Sequence, residues 1–246
     1  VAQHAGATVV EAPEKNLTAD VDAMLACVTE RTKIVFLANP NNPTGSYIPF
    51  DEVRRLHAGL PSNVLLVLDG AYAEYVRLND YASGMELVSE FDNVIMTRTF
   101  SKVYGLAALR LGWAYGPAHV VEALHKVRGP FNVNAVAQAA GVAAINDQEF
   151  VDQSVAHNET ELNRLVDGVR KLGLTAHDSV GNFILIRFPQ TPGQTADDAM
   201  AALGAEGVSV RPMGPYKLPD CLRVSIGESD SVDVVLTILS KFVSAI

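Results

Sequence analysis

The chain has 246 residues, a formal net charge of −9, 48% hydrophobic and 19% charged residues, a composition that excludes disordered and fibrous classes. The acidic balance argues against nucleic acid or an anionic membrane surface as partner, since both select clustered Lys and Arg, though a few local arginines can still receive a small anion. Two cysteines, Cys27 and Cys221, are too few for a disulfide framework and show no metal spacing, so they read as buried thiols in a reducing cytosol.

The opening Val1-Ala2-Gln3-His4-Ala5-Gly6 has neither a basic segment nor a long apolar stretch, so no signal peptide is expected there. Ile34 to Ala38 reads as a buried strand, ended by the turn-rich Asn39-Pro40-Asn41-Asn42-Pro43-Thr44-Gly45. A helix is predicted from Phe50 to His57, with Asp51 and Glu52 in its first turn. Val64 to Leu68 is a second buried strand ending at Asp69, and Val94 to Thr97 a third, running into Phe100-Ser101-Lys102. Strand, helix, strand order with continuous apolar strands predicts a mostly parallel sheet covered on both faces. The uncharged run between Arg128 and Asp147 contains Pro130, Asn132, Asn134, Gln138 and Gly141, which makes it a poor membrane span.

Helices are predicted over Ala135 to Ile145 and Glu149 to Leu172, the second with Val151, Val155, Leu162, Leu165, Val169 and Leu172 at helical spacing and Gly173 as its stop. Short strands follow at Phe183 to Ile186, Val208 to Val210 and Leu222 to Ile226. A last helix starts near Ser229, with Val232, Val235, Leu236, Leu239, Phe242, Val243 and Ile246 on one face. The rhythm predicts two α/β domains, residues 1–150 and residues 151–246, with the boundary inside the long helix.

Ligands of open α/β sheets gather at the carboxyl ends of the strands. Asn42 follows the first strand, Asp69 and Tyr72 the second, Ser101 and Lys102 the third. A lysine beyond a buried strand is a candidate amine nucleophile, because desolvation lowers its pKa; taken alone, a Ser-Lys pair is more often a solvated surface feature. Asp69 alone suits a turn cap equally well. The order and the strand-end placement together make the case.

These stretches resemble the fold-type-I aminotransferases that use pyridoxal 5'-phosphate (PLP), and within them the histidinol-phosphate aminotransferase group. The resemblance runs through Asn39 to Gly45, Asp69-Gly70-Ala71-Tyr72-Ala73-Glu74-Tyr75, Thr97 to Gly112, Pro130 to Asn134 and Leu222 to Gly227, in the family's order. It implies an α/β, PLP-dependent transferase-like fold, with a mostly parallel sheet in a large domain and a smaller C-terminal α/β domain. It implies that Lys102 carries the cofactor as a Schiff base and later moves the substrate's proton. Asp69 would pair with the pyridine nitrogen, and Tyr72 and Asn42 would hydrogen-bond the phenolic oxygen. Thr99, Ser101 and Arg110 would hold the phosphate. Arg223 would grip the substrate α-carboxylate and Arg211, after a short strand, would face a phosphate-bearing side chain; pairing of Arg211 with an acidic neighbour is the alternative. Tyr75 and Tyr104 read as core or wall aromatics. His57, His119, His125, His157 and His177 show no metal spacing, and the mechanism needs no metal.

The implied reaction is amino transfer between an amino donor and a 2-oxo acid, most closely histidinol phosphate to 2-oxoglutarate in histidine biosynthesis, by a cytoplasmic homodimer acting on small molecules. Aromatic amino-acid transamination and a decarboxylase or lyase of the same fold are the alternatives, because the cofactor's electron sink serves them all. A catalytically inert remnant is the reading from another class. The resemblance begins part-way into the family pattern, with Ala5 to Val10 read as a strand. It therefore implies the absence of an N-terminal part that supplies phosphate, ring-stacking and dimer contacts, and weak or no turnover as a result.

Overall fold

The computed structural model describes residues 2–244. In chain order the helices are α1 (Val21–Ala26), α2 (Phe50–Ala58), α3 (Met85–Glu90), α4 (Ala118–Val127), α5 (Ala135–Asn146), α6 (Gln148–Lys171), α7 (Ala196–Ala205) and α8 (Ser229–Ser244). The strands are β1 (Ile34–Ala38), β2 (Leu65–Asp69), β3 (Val94–Thr99), β4 (Gly112–Tyr115), β5 (Thr175–Ala176), β6 (Phe183–Arg187), β7 (Arg211–Pro212) and β8 (Cys221–Ser225).

The first sheet has the order β1-β2-β3-β4. β1, β2 and β3 run parallel, with Ala38, Asp69 and Thr97 in register at their ends, so three different loops leave from one edge. β4 closes the sheet antiparallel, and Gly112 permits its approach: a Cβ there would lie 2.8 Å from the Arg98 carbonyl oxygen. Alternation sends Leu37, Leu66, Leu68, Val94 and Met96 to one face, where they pack with Val21, Val53, Leu56 and Leu87 from α1, α2 and α3.

Cover on both faces, expected from the apolar strands, is not what the described residues form. Phe36 is 65% exposed, and Ile34 and all of β4 are open to solvent. The reason is topological: α1, α2 and α3 all pack against the same face. Ala5 to Val10, expected as a strand, forms a 3-10 turn at Gln3–Ala5 followed by exposed irregular chain, with no strand of the described residues beside it.

The second sheet, β5-β6-β8-β7, is antiparallel throughout. Ile184, Ile186, Leu222 and Val224 point to one face and pack with Leu165 and Val169 of α6, Leu203 of α7 and Val235 and Leu239 of α8. α7 is started by a capping box between Thr195 and Asp198. The strand expected at Val208 to Val210 lies one step later, at Arg211–Pro212, because the chain first leaves α7 through Gly207, whose φ is +78°. Ile246, expected on the apolar face of the last helix, lies outside the described residues.

α6 joins the second sheet's core to a small cluster beneath the loops that follow β2 and β3. Val151 and Val155 pack on Val103 with Tyr75 and Tyr104, whereas Leu165, Val166 and Val169 belong to the second sheet's core. Its buried Asn158 donates to the Gly181 carbonyl (3.1 Å). The loop Val180 donates its N–H to the Gly45 carbonyl (2.9 Å). The turn after β1 is thereby seated against the loop before β6.

Candidate active site

The turn after β1 is closed by one side chain. Asn39, only 7% exposed, donates through Nδ2 to the Ile48 carbonyl (3.0 Å) and accepts the Ile48 N–H (2.9 Å), imitating a strand partner. The peptide bonds before Pro40 and Pro43 are cis, and Gly45 takes φ +76°. This loop presents Asn42 to the second sheet, where Asn42 Oδ1 accepts from Arg223 Nη1.

β2 ends at the exposed Asp69, whose Oδ1 accepts the Ala71 N–H (3.0 Å). Three residues on, Tyr72 is 4% exposed. β3 delivers Thr99, whose Oγ1 accepts the Ser101 N–H (3.0 Å). Phe100 is buried against Tyr104, with ring centroids 4.9 Å apart, which turns the neighbouring Ser101 and Lys102 outward as half-buried residues. Lys102 Nζ lies 5.0 Å from the centre of the Tyr72 ring, within cation–π range. Arg110 is exposed, has φ +55°, and donates from Nη1 to the Ala107 carbonyl (2.6 Å).

The second sheet supplies the opposite wall. Leu185 and Arg223 are register partners, and their face is the one that α6, α7 and α8 leave uncovered. The Tyr72 and Phe183 rings meet edge-on at 5.2 Å, and the Arg223 guanidinium lies 5.0 Å over Phe183. Arg223 Nε is buried without a hydrogen-bond partner. Arg211, on β7, is the cross-strand partner of Arg223 and is exposed.

Lys102, Tyr72, Phe183, Arg223 and Asn42 thus form one continuous line of contacts, with Asp69, Thr99 and Ser101 at the strand ends beside it. Arg110 and Arg211 stand at the periphery. Phe183 had no signal in the sequence beyond opening an apolar strand, yet its ring joins the amine side to the guanidinium side. Asn39 was likewise legible only as part of a turn. Around the site, burial pushes the Tyr75 phenol up to about 12 and raises Tyr81, whose hydroxyl donates to the Asn39 carbonyl (2.9 Å). Burial also raises Glu74, against the pull of Arg98 beside it.

Residues 1–239 match the family model for aminotransferase class I and II. The chain belongs to that family. It is 61% identical over 226 residues to a histidinol-phosphate aminotransferase of Rhodospirillum centenum, which covers 92% of this chain and 62% of the relative. A second histidinol-phosphate aminotransferase, from Rhodopseudomonas palustris, is 56% identical over 239 residues, covering 97% of this chain and 66% of the relative. Among solved structures, the histidinol-phosphate aminotransferase of Sinorhizobium meliloti in complex with PLP superposes with a TM-score of 0.88 at 30% identity. That match covers 96% of this chain and 64% of the other. The chain therefore spans just under two thirds of the length of these relatives, and its fold is the α/β fold of the PLP-dependent aminotransferases.

Proposed function

We propose that the protein to which this chain belongs is a PLP-dependent aminotransferase of the histidinol-phosphate type, transferring an amino group between a small amino donor and a 2-oxo acid. The observation that carries the reading is a convergence: an amine from the turn after β3 and a guanidinium from β8, Lys102 and Arg223, flank the Tyr72–Phe183 ring pair. Residues 1–150 would act as the cofactor-bearing part and residues 151–246 as the substrate-gripping domain.

The donor set fits the cofactor. Thr99 Oγ1 takes the Ser101 N–H, which leaves its own O–H free to donate to a phosphate beside Ser101 Oγ and Arg110. Asp69 Oδ1 is occupied by the Ala71 N–H, so the second carboxylate oxygen is offered to a protonated ring nitrogen. Tyr72 and Asn42 would serve the ring's phenolic oxygen. PLP, when bound, supplies the electron sink for the pair left behind when the substrate α-carbon loses its proton.

The chain's own groups account for binding and proton movement. Arg223 has one buried donor, Nε, without an acceptor, and an unsatisfied buried donor of this kind is costly until a carboxylate meets it. Stacking on Phe183 holds the fork in place while Asn42 takes Nη1. Lys102 Nζ would take the proton from the substrate's α-carbon and return it. Arg211 and Arg223 stand directly opposite across β7 and β8, and like charges so placed repel unless an anion lies between them. This pairing favours a donor with two anionic groups, a carboxylate and a phosphate, over a plain aromatic amino acid.

A homodimer in the cytoplasm is the accompanying reading. α5 is largely apolar and exposes Val136 and Val142, and the preceding loop exposes Phe131, at 94%, which supports a partner surface there. Among the described residues no helix is long and apolar enough to cross a membrane.

The test is reductive trapping. Mixed with PLP and then borohydride, the chain should carry the cofactor on Lys102 Nζ by peptide mass mapping, and glutamate should convert bound PLP to pyridoxamine phosphate. Absence of a Lys102 adduct would overturn the reading, and release of carbon dioxide in place of amino transfer would replace it with a decarboxylase.

A further inference from the structure

Glu74 and Arg98 form an ion pair at 2.8 Å with each side chain only 12% exposed, the most enclosed pair among the described residues. Each keeps one buried atom without a hydrogen bond, Glu74 Oε2 and Arg98 Nε. Tyr81 and Tyr104 lie within electrostatic reach of both charges, and Tyr75 of Glu74. Burying two charges costs several kcal/mol per ion, and apolar residues of equal volume often serve stability as well or better. A contribution to net stability is therefore a poor account of this pair.

Its position gives a better one. Glu74 sits two residues beyond Tyr72, in the 3-10 turn Ala73–Tyr75. Arg98 lies on β3 between Thr97 and Thr99, four residues before Lys102. The Gly70 N–H donates to the Thr97 carbonyl (2.9 Å), and a Cβ at Gly70 would lie 3.3 Å from Arg98 Cδ and Nε. The arginine stem therefore runs flat against the backbone between Asp69 and Tyr72, and its head is anchored on the far side of the same loop.

We propose that Glu74 and Arg98 are a positioning pair that locks the Asp69–Tyr72 loop to the Thr99–Lys102 turn and so sets how Asp69, Tyr72 and Lys102 meet the cofactor. Neither residue touches the reacting atoms. The clause about the cofactor rests on the function proposed above; the locking of the two segments does not. A planar fork with a fixed direction suits this task, and a flexible ammonium does not.

The test uses E74Q/R98M, which removes both charges together, with R98K as the milder variant should the double variant fail to fold. In the PLP-free chain, amide hydrogen exchange should accelerate at both 70–76 and 99–105, while the thermal midpoint stays near that of the parent chain. PLP affinity should fall about ten- to a hundredfold, the scale on which removing a partner that orients a binding residue weakens metal sites, and the pH midpoint of the bound cofactor's absorption should move. A lowered thermal midpoint with parental PLP affinity and parental pH midpoint would reduce the pair to a structural role and overturn the proposal. Faster exchange confined to one of the two segments would overturn it too. A parent chain that takes up no PLP would sink the proposed function, and the exchange result would still decide whether the pair locks the two segments.

Discussion

Asn42 and Arg223 lie 181 positions apart in sequence and share a hydrogen bond from Nη1 to Oδ1. The contact ties the turn after β1 to β8, an inner strand of the second sheet. It also fixes the Arg223 guanidinium, which the proposed function assigns to the substrate carboxylate, through a residue on the turn after β1.

On the proposed function, Lys102→Ala removes the amine whose cofactor linkage a borohydride trap reports. The expected outcome is complete loss of the stable PLP adduct, measured by mass, with the far-ultraviolet circular dichroism unchanged because Lys102 is half-buried and outside the core clusters.

Arg223→Ala should raise the KM for every carboxylate substrate about ten- to a hundredfold, from loss of a charge-assisted pair of about 1.5–3 kcal/mol. Arg223→Lys should recover only part of this, since an ammonium cannot reproduce the stacked fork over Phe183. Steady-state kinetics on the protein to which this chain belongs would check it.

Arg211→Ala relieves the like-charge pairing with Arg223 across β7 and β8 and removes the guanidinium that the proposed function assigns to a second anionic group. Its cost should fall on a phosphorylated donor and spare phenylalanine. Equal losses for the two donors would show that Arg211 does not select for phosphate.

Gly45→Ala should destabilise the fold by about 1–3 kcal/mol. The residue takes φ +76°, and its new Cβ would come within 2.5 Å of Ser179 Cβ across the seam between the two halves. Chemical denaturation read at the same slope would measure it.

Acid should loosen the junction of α6 with α8. Glu161 is held below its ordinary 4.5 first by the Ser229 hydroxyl and then by Arg164, against burial, which raises it. A depressed folded pKa contributes stability that is present above the unfolded value and is lost as pH falls through the folded one. Stability should therefore drop below about pH 4.5, and Glu161→Gln should flatten that slope in thermal melts taken across the acid range.

Much of this molecule was legible in its chain order. β1, β2 and β3 appear as apolar runs ending in Asn39, Asp69 and Thr97–Thr99, which is the pattern of parallel strands, although only β2 and β3 are largely buried and the edge strand β1 leaves Ile34 and Phe36 exposed. The amphipathic spacing of α6 and α8 was equally plain. The antiparallel β4 was not, since Gly112-Trp113-Ala114-Tyr115 carries no run of β-branched residues and pairs only because Gly112 lets it approach Arg98. The open face beside Phe36 could not be read either. An apolar side chain in a strand says that it prefers burial, not that the described residues supply the cover.

The sequence by itself determined which chemistry-bearing residues stand at strand ends: Asn42, Asp69, Tyr72, Thr99, Ser101 and Lys102 follow three apolar runs, and that placement is local. Only the tertiary structure decided that Arg223 and Phe183 face them. The alternation of β8 chooses a face for Arg223, but the packing of α6, α7 and α8 on the other face turns that arginine toward Asn42. Nor could any local pattern show that Glu74 and Arg98 pair beneath the two loops, because a buried ion pair depends on two segments meeting and not on the sequence of either.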